Sequence, residues 1–517
     1  MGRSSALTPG AADLEDFSPE KATFVGAGGT RYQAEKVGDT VLHHEFGTDS
    51  QGRVIYDRKV PVSLAIGSGT RGKTYATNRD GILLQSPISW YSPKGGYFEL
   101  SPGYENVATN PRFSRRIMEE CLVCHIGRME FDPDVPDKLI LPYFHEIAIG
   151  CERCHGPGEK HVQAQQAGRI SSPDPTIVNP ARLPVRERES VCYQCHLHGD
   201  YRRVRYGRHA RDFRPGMALE EIFCVLVKKA SPSVAFKSVS QVEQMRESVC
   251  FQSNPEKLGC ISCHNPHVWP EPLRRDEYYR GRCNECHAER GCSLPANQRA
   301  EKADSCIACH MPRATAKDVV HASQTDHRVL KNPPAAQARG SETAAANSLQ
   351  ALRFFAESEQ RLPAWEVQRT RGMMLASGRT SEDPSENAVS VLLPLTSVAP
   401  DDGPLLQALG GAYLRQEDHA QARKWLEKAV ALEPQNEQAR ASLALACVGM
   451  RDLDAAKEHI SEVVKLNPYV AKNFSMQAKI LAQRGEFEPA LRAAEKVVEL
   501  DPTQTELRDQ IRKEPRK

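Results

Sequence analysis

The alternation of apolar and polar positions changes along the chain. Between residues 30 and 100, apolar residues alternate with polar ones in short runs at 41–46, 54–56, 60–66 and 82–84. Successive side chains of a β-strand point to opposite faces, so this period of two predicts a small antiparallel β-meander. From 105 to 330, long periodic segments are rare and Gly, Pro and His are frequent, which predicts short helices in irregular structure.

A longer period governs the end of the chain. Pro400, Pro434, Pro468 and Pro502 recur every 34 residues, which is the length of a tetratricopeptide repeat. Small and large apolar residues occupy the packing positions of four copies: Leu375, Ala376, Ala388 and Leu392; Leu409, Gly410, Tyr413, Ala422, Leu426 and Ala429; Leu443, Ala444, Ala456, Ile460 and Val463; Ala478, Leu481, Ala490 and Val497. We expect four helical pairs stacked into an α-solenoid, capped by an Ala-rich helix near 343–360.

One pentapeptide occurs six times between residues 121 and 310. Its form is C-x-x-C-H, and the copies are Cys121/Cys124/His125, Cys151/Cys154/His155, Cys192/Cys195/His196, Cys260/Cys263/His264, Cys283/Cys286/His287 and Cys306/Cys309/His310. This is the attachment signature of c-type haem, in which the two thiols bind the vinyl groups and the histidine is the proximal iron ligand. Zinc ribbons also use C-x-x-C pairs but do not require a histidine after every second cysteine. Six covalent haems are therefore predicted.

These patterns together predict a mainly α fold. The expected parts are a disordered N-terminus (1–20), a β-rich part of the haem unit (21–105), an irregular helical multihaem domain (106–330), a linker (331–342) and a solenoid of tetratricopeptide repeats (343–510).

Composition limits the partners and the compartment. Twelve of the 16 cysteines belong to the motifs, and the net charge of +2 gives no sign of nucleic-acid binding. No apolar run approaches the length of a transmembrane helix, and the first residues lack the apolar core of a signal peptide. Because c-type haem is attached outside the bacterial cytoplasm, we expect a periplasmic or otherwise exported protein whose true start lies upstream.

Residues 67–74, GSGTRGKT, match the phosphate-binding P-loop pattern. That motif requires a helix to begin at its Lys-Thr, so that the first amide groups face the phosphates. Here an Asn-Arg-Asp-Gly turn and another apolar run follow. A glycine-rich hairpin is the preferred interpretation, and no nucleotide is expected.

Each iron also needs a sixth ligand. The first 330 residues contain nine histidines outside the motifs: His43, His44, His145, His161, His198, His209, His267, His321 and His327. Nine candidates suffice for six bis-His haems. Met311 is a poor alternative because it directly follows a proximal histidine and cannot reach over the same iron.

Several segments resemble a known group of proteins. C-E-R-C-H-G-P-G-E-K-H-V at 151–162, C-I-S-C-H-N-P-H at 260–267 and C-I-A-C-H-M-P-R at 306–313 resemble segments of multihaem cytochromes of the c-554 and hydroxylamine-oxidoreductase-related superfamily. The order of haem domain and repeats is similar to that of large exported bacterial cytochromes. The resemblance implies distal ligands at His161, His267, His321 and His327, with His145 and His44 next. It makes His43, His198 and His209 surface or supporting groups.

The resemblance also bears on the beginning of the chain. In similar proteins a segment like 1–4 follows a signal peptide and a further C-x-x-C-H, so a seventh haem upstream is one expectation. The other is that this member has lost a haem.

Three functions are consistent with these features. Electron relay is preferred: motifs 23 residues apart at 260, 283 and 306 must lie close in space, bis-His irons leave no site for substrate, and the repeats would dock a redox partner. The alternative is an oxidoreductase acting on a small nitrogen or sulfur compound at one five-coordinate haem. Its candidate anion-attracting residues are Tyr201, Arg202, Arg203, Arg205, Tyr206, Arg208 and Arg211, which could equally form a solvated basic loop. A third hypothesis is a scaffold with auxiliary haems.

Overall fold

The computed structural model describes residues 5–7, 14–49, 51–106, 110–169, 171–228, 237, 239–288, 291–315, 323–331, 352–378 and 387–513.

The N-terminal region is a two-sheet β-sandwich. Its elements are β1 (Ser5–Leu7), α1 (Pro19–Ala22), β2 (Thr23–Val25), β3 (Arg31–Val37), β4 (Thr40–Thr48), β5 (Val54–Val62), β6 (Leu64–Ile66), β7 (Gly72–Arg79), β8 (Ile82–Tyr91), β9 (Tyr97–Leu100) and β10 (Arg115–Arg116). One antiparallel sheet has the order β2-β3-β4-β5, and the other has the order β1-β6-β7-β8-β10 with β9 beside β8. Tyr32 and Val41 of the first sheet share a core with Tyr75, Ile88 and Trp90 of the second. The strands were predicted, but the sheet content is larger than a small meander.

The first residues take part in this sandwich. β1 pairs antiparallel with β6, and the Ser5 hydroxyl donates to the carbonyl of His125 at 3.2 Å. The Glu15 carboxylate is fully buried and lies 3.0 Å from the Lys73 ammonium. The disorder predicted for residues 1–20 is therefore wrong for 5–7 and 14–20. Residues 5–7 are ordered because they pair with the edge of β6, and Glu15 is held because it pairs with the buried ammonium of Lys73. Residues 1–4 and 8–13 lie outside the described residues.

The P-loop-like segment forms a hairpin. β6 and β7 pair antiparallel on either side of residues 67–71, so Lys73 and Thr74 lie in a strand and not at a helix N-terminus. The ammonium of Lys73 contacts the Glu15 carboxylate and the face of Trp90. This confirms the glycine-rich hairpin.

Short helices carry the six motifs, as predicted. The helices are α2 (Glu119–Leu122), α3 (Glu152–His155), α4 (Glu159–Gln166), α5 (Val185–His196), α6 (Gln241–Glu247), α7 (Val249–Ser253), α8 (Cys260–Cys263), α9 (Arg275–His287), α10 (Ala296–Ala300) and α11 (Cys306–His310). Three hairpins lie among them: β11 (Arg128–Phe131) with β12 (Leu139–Glu146), β13 (Tyr201–Val204) with β14 (Phe223–Lys228), and β15 (Arg313–Thr315) with β16 (Ser323–Thr325). The hairpins were not predicted.

The repeats form consecutive antiparallel helix pairs. They comprise α12 (Ala364–Ala376), α13 (Ala388–Leu392), α14 (Gly403–Arg415), α15 (His419–Leu432), α16 (Glu437–Gly449), α17 (Leu453–Leu466), α18 (Ala471–Gln483), α19 (Phe487–Leu500) and α20 (Glu506–Lys513). The predicted anchors Leu409, Leu426 and Ile460 are fully buried. A Cβ atom at Gly410 would lie 2.5 Å from Cγ of Leu426, so glycine permits this close approach of α14 and α15.

The predicted capping helix near 343–360 is not formed in its described part. Residues 352–354 form β17 (Leu352–Phe354), which pairs antiparallel with β14, and a 3₁₀ segment follows. Leu352 and Phe354 join the core of that sheet, so burial against β14 overrides the local helical preference. Most of the predicted linker lies outside the described residues.

Both ends of the solenoid contact the rest of the chain. At the first end, Arg369 and Asp402 form a buried ion pair with Nε 2.5 Å from Oδ2, and Arg369 Nη1 donates to the carbonyl of Val204 at 3.1 Å. At the far end, Arg112 Nε lies 2.8 Å from Asp501 Oδ1, and the Arg112 guanidinium also contacts the buried Glu45 carboxylate. The repeats are thus packed on the β13–β14 hairpin and on the sandwich.

None of the helices in the described ranges is long and apolar enough to cross a membrane.

Candidate functional site

The first three motifs are connected by hydrogen bonds. The Cys124 thiol donates to the carbonyl of Gln194 at 3.5 Å, and the Gln194 amide donates to the carbonyl of Arg153 at 3.3 Å. Arg153 Nη2 in turn donates to the carbonyls of Ile126 at 3.0 Å and Gly127 at 2.7 Å. Hydrogen bonds to backbone carbonyls therefore connect motifs one, two and three.

Thiols of different motifs are neighbours in this cluster. A hydrogen bond from Cys195 lowers the pKa of the Cys124 thiol to about 7, and the same contact raises the pKa of Cys195. A second contact joins Cys192 to Cys260 and lowers the pKa of Cys192. Cys124, Cys192 and Cys260 all pack against one apolar core formed largely by the β13–β14 hairpin and the segment before it.

The fourth motif is tied to the third through α5. Glu189 Oε2 accepts a hydrogen bond from the backbone N–H of Cys260 at 3.0 Å. A Cβ atom at Gly259 would lie 2.1 Å from Glu189 Oε1, so a side chain at this position would displace the Glu189 carboxylate. The contact between α5 and α8 joins residues 71 positions apart in the chain.

The fifth and sixth motifs continue the series along α9. Tyr279 Oη lies 3.4 Å from His264 Nδ1, which connects α9 to the fourth motif. The Ser305 hydroxyl donates to Asp276 Oδ1 at 2.6 Å, and Arg280 Nη1 lies 3.1 Å from Asp304 Oδ2. These bonds hold α11 against α9, so the six motifs form one contiguous group.

Two pairs of histidines face each other across this group. His155 Nε2 and His267 Nε2 are 3.4 Å apart. The rings of His264 and His327 have centroids 6.3 Å apart. A metal–imidazole bond is about 2 Å long, so two ligand nitrogens on opposite sides of one metal lie about 4 Å apart. Each pair joins a motif histidine to one of the distal candidates.

Several rings are oriented through Nδ1. His155 Nδ1 donates to the carbonyl of Val178 at 2.8 Å, His310 Nδ1 to that of Leu330 at 2.9 Å and His327 Nδ1 to that of Thr325 at 2.7 Å. His161 Nδ1 donates to Asp174 Oδ2 at 2.7 Å. A carbonyl or carboxylate accepts only, so Nδ1 carries the proton and Nε2 presents its lone pair. This tautomer suits a metal ligand.

Desolvation by surrounding protein atoms acts on three rings of this region, although His196 and His264 are exposed and His327 is partly exposed. It lowers the pKa of His264 to about 4 and also lowers the pKa values of His196 and His327. The neighbouring His327 adds to the effect on His196 and His264. His327 therefore lies near two motif histidines, His196 and His264.

The other histidines have different surroundings. His44 lies on β4 with Nε2 2.9 Å from Glu35 Oε2, and His145 lies on β12 with Nε2 3.2 Å from Glu130 Oε2. Their ligand roles stay predictions. His43 is fully buried in the sandwich and bonds Ser86 Oγ at 2.7 Å. His198 and His209 are exposed, and His321 lies outside the described residues.

The arginine-rich segment after the third motif serves the fold. Arg202 Nη1 donates to the carbonyls of Gln194 and Leu197, and its guanidinium lies 3.6 Å from the centroid of Phe223. Arg205 donates to the carbonyl of Glu220, and Arg211 pairs with Glu119. The hydrogen bonds and ion pair of these arginines cap α5 and stabilise the β13–β14 hairpin. The predicted attraction of an anion by these three side chains finds no support in their contacts.

The segment with the last three motifs has no apolar core of its own. No hydrophobic side chain of the described residues 254–288 and 291–313 is buried, and Trp269 and Leu273 are 78% and 100% exposed. Within the described parts of the chain, buried N–H groups of Arg153, Arg188 and Arg299 also lack a hydrogen-bond partner. Porphyrins fit both observations, because their faces are apolar and their propionates accept hydrogen bonds from guanidinium groups.

Sequence comparisons agree with parts of this picture. The tetratricopeptide repeat family matches residues 413–480. "Multiheme cytochrome MtrA" of Shewanella baltica (strain OS185) is 26% identical over 222 residues, which cover 42% of this chain and 59% of that protein. The chain thus spans less than two thirds of this relative's length.

Solved structures match a smaller part. "MamA RS-1 ArsTM double mutant" is 22% identical with a TM-score of 0.26, over 28% of this chain and 80% of that one. "MamA 41-end from Desulfovibrio magneticus RS-1" is also 22% identical with a TM-score of 0.26, over 28% of this chain and 81% of that one.

Several supporting residues were not identified from sequence. Gln194 lies inside a motif at a variable position, and Glu189, Arg153 and Asp174 are ordinary charged residues. Their partners are distant in sequence or depend on a loop conformation. No sequence signal distinguishes them from solvated residues.

Proposed function

We propose that this chain is an exported multihaem c-type cytochrome that relays electrons through six covalently bound, mostly bis-His haems. The six C-x-x-C-H motifs and the likeness to a multihaem cytochrome over 42% of the chain support the proposal. Bound haem supplies a one-electron carrier whose potential depends on its axial ligands and surroundings. The twelve motif cysteines would attach the haems, and His125, His155, His196, His264, His287 and His310 would be the proximal ligands.

The observation that carries this proposal is the contiguity of the motifs. Contacts run from Cys124 to Gln194, from Glu189 to Cys260, from His264 to Tyr279 and from Asp276 to Ser305. A relay needs carriers that are close neighbours, whereas a set of independent sites does not.

The distal ligands are part of the proposal. His267 would complete the site of His155, and His327 would complete the site of His264. His161, His321, His145 and His44 are proposed for the remaining irons. Carbonyl acceptors such as those of Val178 and Thr325 hold the rings and keep Nε2 deprotonated.

The repeats are proposed to dock a redox partner. Their loops at Asp501 and Tyr469 contact Arg112 and Arg79 of the sandwich, so this edge is used within the chain. The remaining helix faces include the half-exposed Leu445 of α16. Packing on two other parts of the chain would hold a partner docked there at a defined place relative to the haems.

Electron paramagnetic resonance of the mature, oxidised protein tests the relay. Six low-spin signals and peptide masses that show a haem on each motif are the expected result. A high-spin haem that responds to nitrite or hydroxylamine would favour the oxidoreductase alternative. Peptides without haem would refute the cytochrome proposal altogether.

The proposed pair His155 and His267 has its own test. His267→Ala should replace one low-spin signal by a high-spin one, because one iron loses its sixth ligand. His209→Ala is the matched control, since His209 is exposed and shares no contact with a motif histidine among the described residues. An unchanged low-spin count in His267→Ala would contradict the pairing.

A further inference from the structure

One short loop orients two histidines that are six positions apart. The carbonyl of Val178 accepts the hydrogen bond from His155 Nδ1 at 2.8 Å, and Asp174 Oδ2 accepts that from His161 Nδ1 at 2.7 Å. His155 belongs to the second motif, and His161 lies on α4 directly after it. The loop from 174 to 178 therefore fixes a motif histidine and a candidate distal ligand together.

Asp174 is itself held in place. Its Oδ1 accepts hydrogen bonds from the backbone N–H of Thr176 at 2.8 Å and from the Thr176 hydroxyl at 2.5 Å. Gln165 Nε2, on α4, lies 3.4 Å from Oδ2. The carboxylate thus cannot turn away from the ring without breaking these bonds.

The other ring nitrogen of His161 is available. The His161 side chain is 33% exposed, and its Nε2 has no hydrogen-bond partner among the residues that the structure describes. Asp174 accepts only, so Nδ1 carries the proton and the lone pair lies on Nε2. A half-buried imidazole prepared in this way has the properties of a metal ligand.

The acceptor of His161 differs from those of the other oriented rings. His155, His310 and His327 each donate from Nδ1 to a neutral backbone carbonyl. Five rings in the motif region are described with a bonded Nδ1. His264 has the Tyr279 hydroxyl as its partner, and His161 is the one of the five that donates to a carboxylate. A charge-assisted bond is stronger, and it increases the electron donation of the ring to a bound metal.

We propose that Asp174 is a positioning residue that orients His161 toward a haem iron and lowers the midpoint potential of that haem relative to its carbonyl-oriented neighbours. The negative charge behind the ring stabilises the ferric state more than the ferrous state. The proposal rests on the proposed function, because it requires haem. It assigns one low-potential step within the relay to a residue outside every motif.

Asp174→Asn in the full haem-loaded chain tests the effect on potential. Asparagine keeps the size of the side chain and an acceptor oxygen but removes the charge. In a spectroelectrochemical titration, one of the six midpoint potentials should shift to a more positive value, with a change in the g values of one low-spin signal. No shift, or an equal shift of all six, would overturn the proposal.

Asp132→Asn is the matched control. Asp132 also accepts hydrogen bonds from the backbone N–H groups of residues two and three positions later, Asp134 and Val135, and no histidine is among its contacts. The midpoint potentials of the haems in this variant should equal those of the wild type. If Asp132→Asn produced the same shift as Asp174→Asn, the effect would be one of general charge and the proposal would fail.

His161→Ala separates the ligand role from the tuning role. Conversion of one low-spin haem to high spin is expected, and an unchanged low-spin count would overturn the assignment of His161. Peptide masses of the same sample report whether haem is attached. Missing haem refutes the proposed function, whereas six attached haems with no shift in Asp174→Asn refute this inference alone.

Discussion

The repeat region and the segment that carries the last three motifs are both helical, but they are stabilised differently. Residues Leu409, Leu426, Leu443 and Ile460 of the repeats belong to one continuous apolar cluster and are at most 1% exposed. In the described residues 254–288 and 291–313 no hydrophobic side chain is buried. The repeats fill their interior with their own side chains, whereas the described motif segment has no interior of buried apolar side chains.

This difference explains why the sequence of the repeats has a regular apolar period and that of the motif segment does not. A core of side chains imposes a period, because the same face of each helix must be apolar. A core supplied by the proposed porphyrins would impose only the local chemistry of attachment and ligation. The same comparison leads to four predictions, from the largest expected effect to the smallest.

Loss of haem attachment should unfold the motif segment and spare the repeats. Replacing Cys260, Cys263, Cys283, Cys286, Cys306 and Cys309 by Ala removes the covalent anchors of three proposed haems. Amide exchange measured by mass spectrometry should accelerate on the order of 100-fold or more across 254–313, because no side-chain core remains there. Exchange in 403–500 should stay within about threefold of the wild type. Equal acceleration in both regions would contradict the comparison.

A cavity in the repeats should have the reverse effect. Leu443→Ala removes a side chain that is 1% exposed and should lower the free energy of unfolding of the repeats by about 2–5 kcal/mol. Urea denaturation followed by helical circular dichroism measures this, and the haem absorbance in native buffer should not change. Leu445→Ala, on the same helix but 48% exposed, is the control and should cost less than about 0.5 kcal/mol. Similar costs for both variants would count against the side-chain core.

The contact between the repeats and the sandwich should be weaker than either core. Asp501→Asn removes one carboxylate from the buried Arg112 guanidinium, which keeps its contact with Glu45. We expect a loss of about 1–3 kcal/mol, seen as faster exchange in α19 and α20. Asp454→Asn breaks a pair whose carboxylate is 87% exposed and should cost about 0–1 kcal/mol. Unchanged exchange in Asp501→Asn would show that this contact does not hold the solenoid.

The motif region also contains a buried carboxyl group whose effect depends on pH. Burial raises the pKa of Glu243 to about 7 from 4.5, although its Oε1 accepts a hydrogen bond from the backbone N–H of Gly199. As the pH rises, the Glu243 carboxyl group therefore ionises at a lower pH in the unfolded chain than in the folded protein. The stability contribution of this group is complete below pH 4.5 and is lost as the pH rises through 7.

Glu243→Gln should remove that dependence. The variant and the wild type should be equally stable near pH 4.5, and the variant should be more stable by up to about 3 kcal/mol at pH 8. Denaturation at both pH values measures the difference. Glu458→Gln on α17, which is exposed, serves as control and should show no such crossover. A wild type that gains stability from pH 5 to 8 relative to Glu243→Gln would contradict the assignment.

Much of the architecture followed from local patterns. The 34-residue period located α14 to α19, and the alternation in 41–46 and 60–66 located β4, β5 and β6. The helical expectation for 343–360 failed in its described part because Leu352 and Phe354 gain more by joining the sheet of β14 than by continuing a helix. The N-terminal expectation failed for a similar reason, since β1 is ordered by pairing with β6.

The candidate site likewise contains residues that the sequence pointed to and residues that it did not. The motif cysteines and histidines could be proposed from the sequence as attachment and ligand residues, because attachment requires two thiols and a histidine at fixed spacing. Their roles stay predictions. The supporting residues were not, because the bonds of Glu189 to Cys260 and of Gln194 to Cys124 cross 71 and 70 positions of the chain. Asp174 is only 13 positions from His161, yet the contact depends on how the intervening loop turns.

By itself, the sequence determined which parts of this protein repeat and indicated the haem chemistry proposed for it, because helix packing and covalent attachment leave periodic, short-range signatures. Only the tertiary structure decided how the motifs follow one another in space, which histidines face each other and where the solenoid is fastened. These features depend on side chains that meet across tens to hundreds of residues. The number of residues between two side chains does not specify whether they come into contact. Loop closure and burial, rather than local conformational preference, select such contacts.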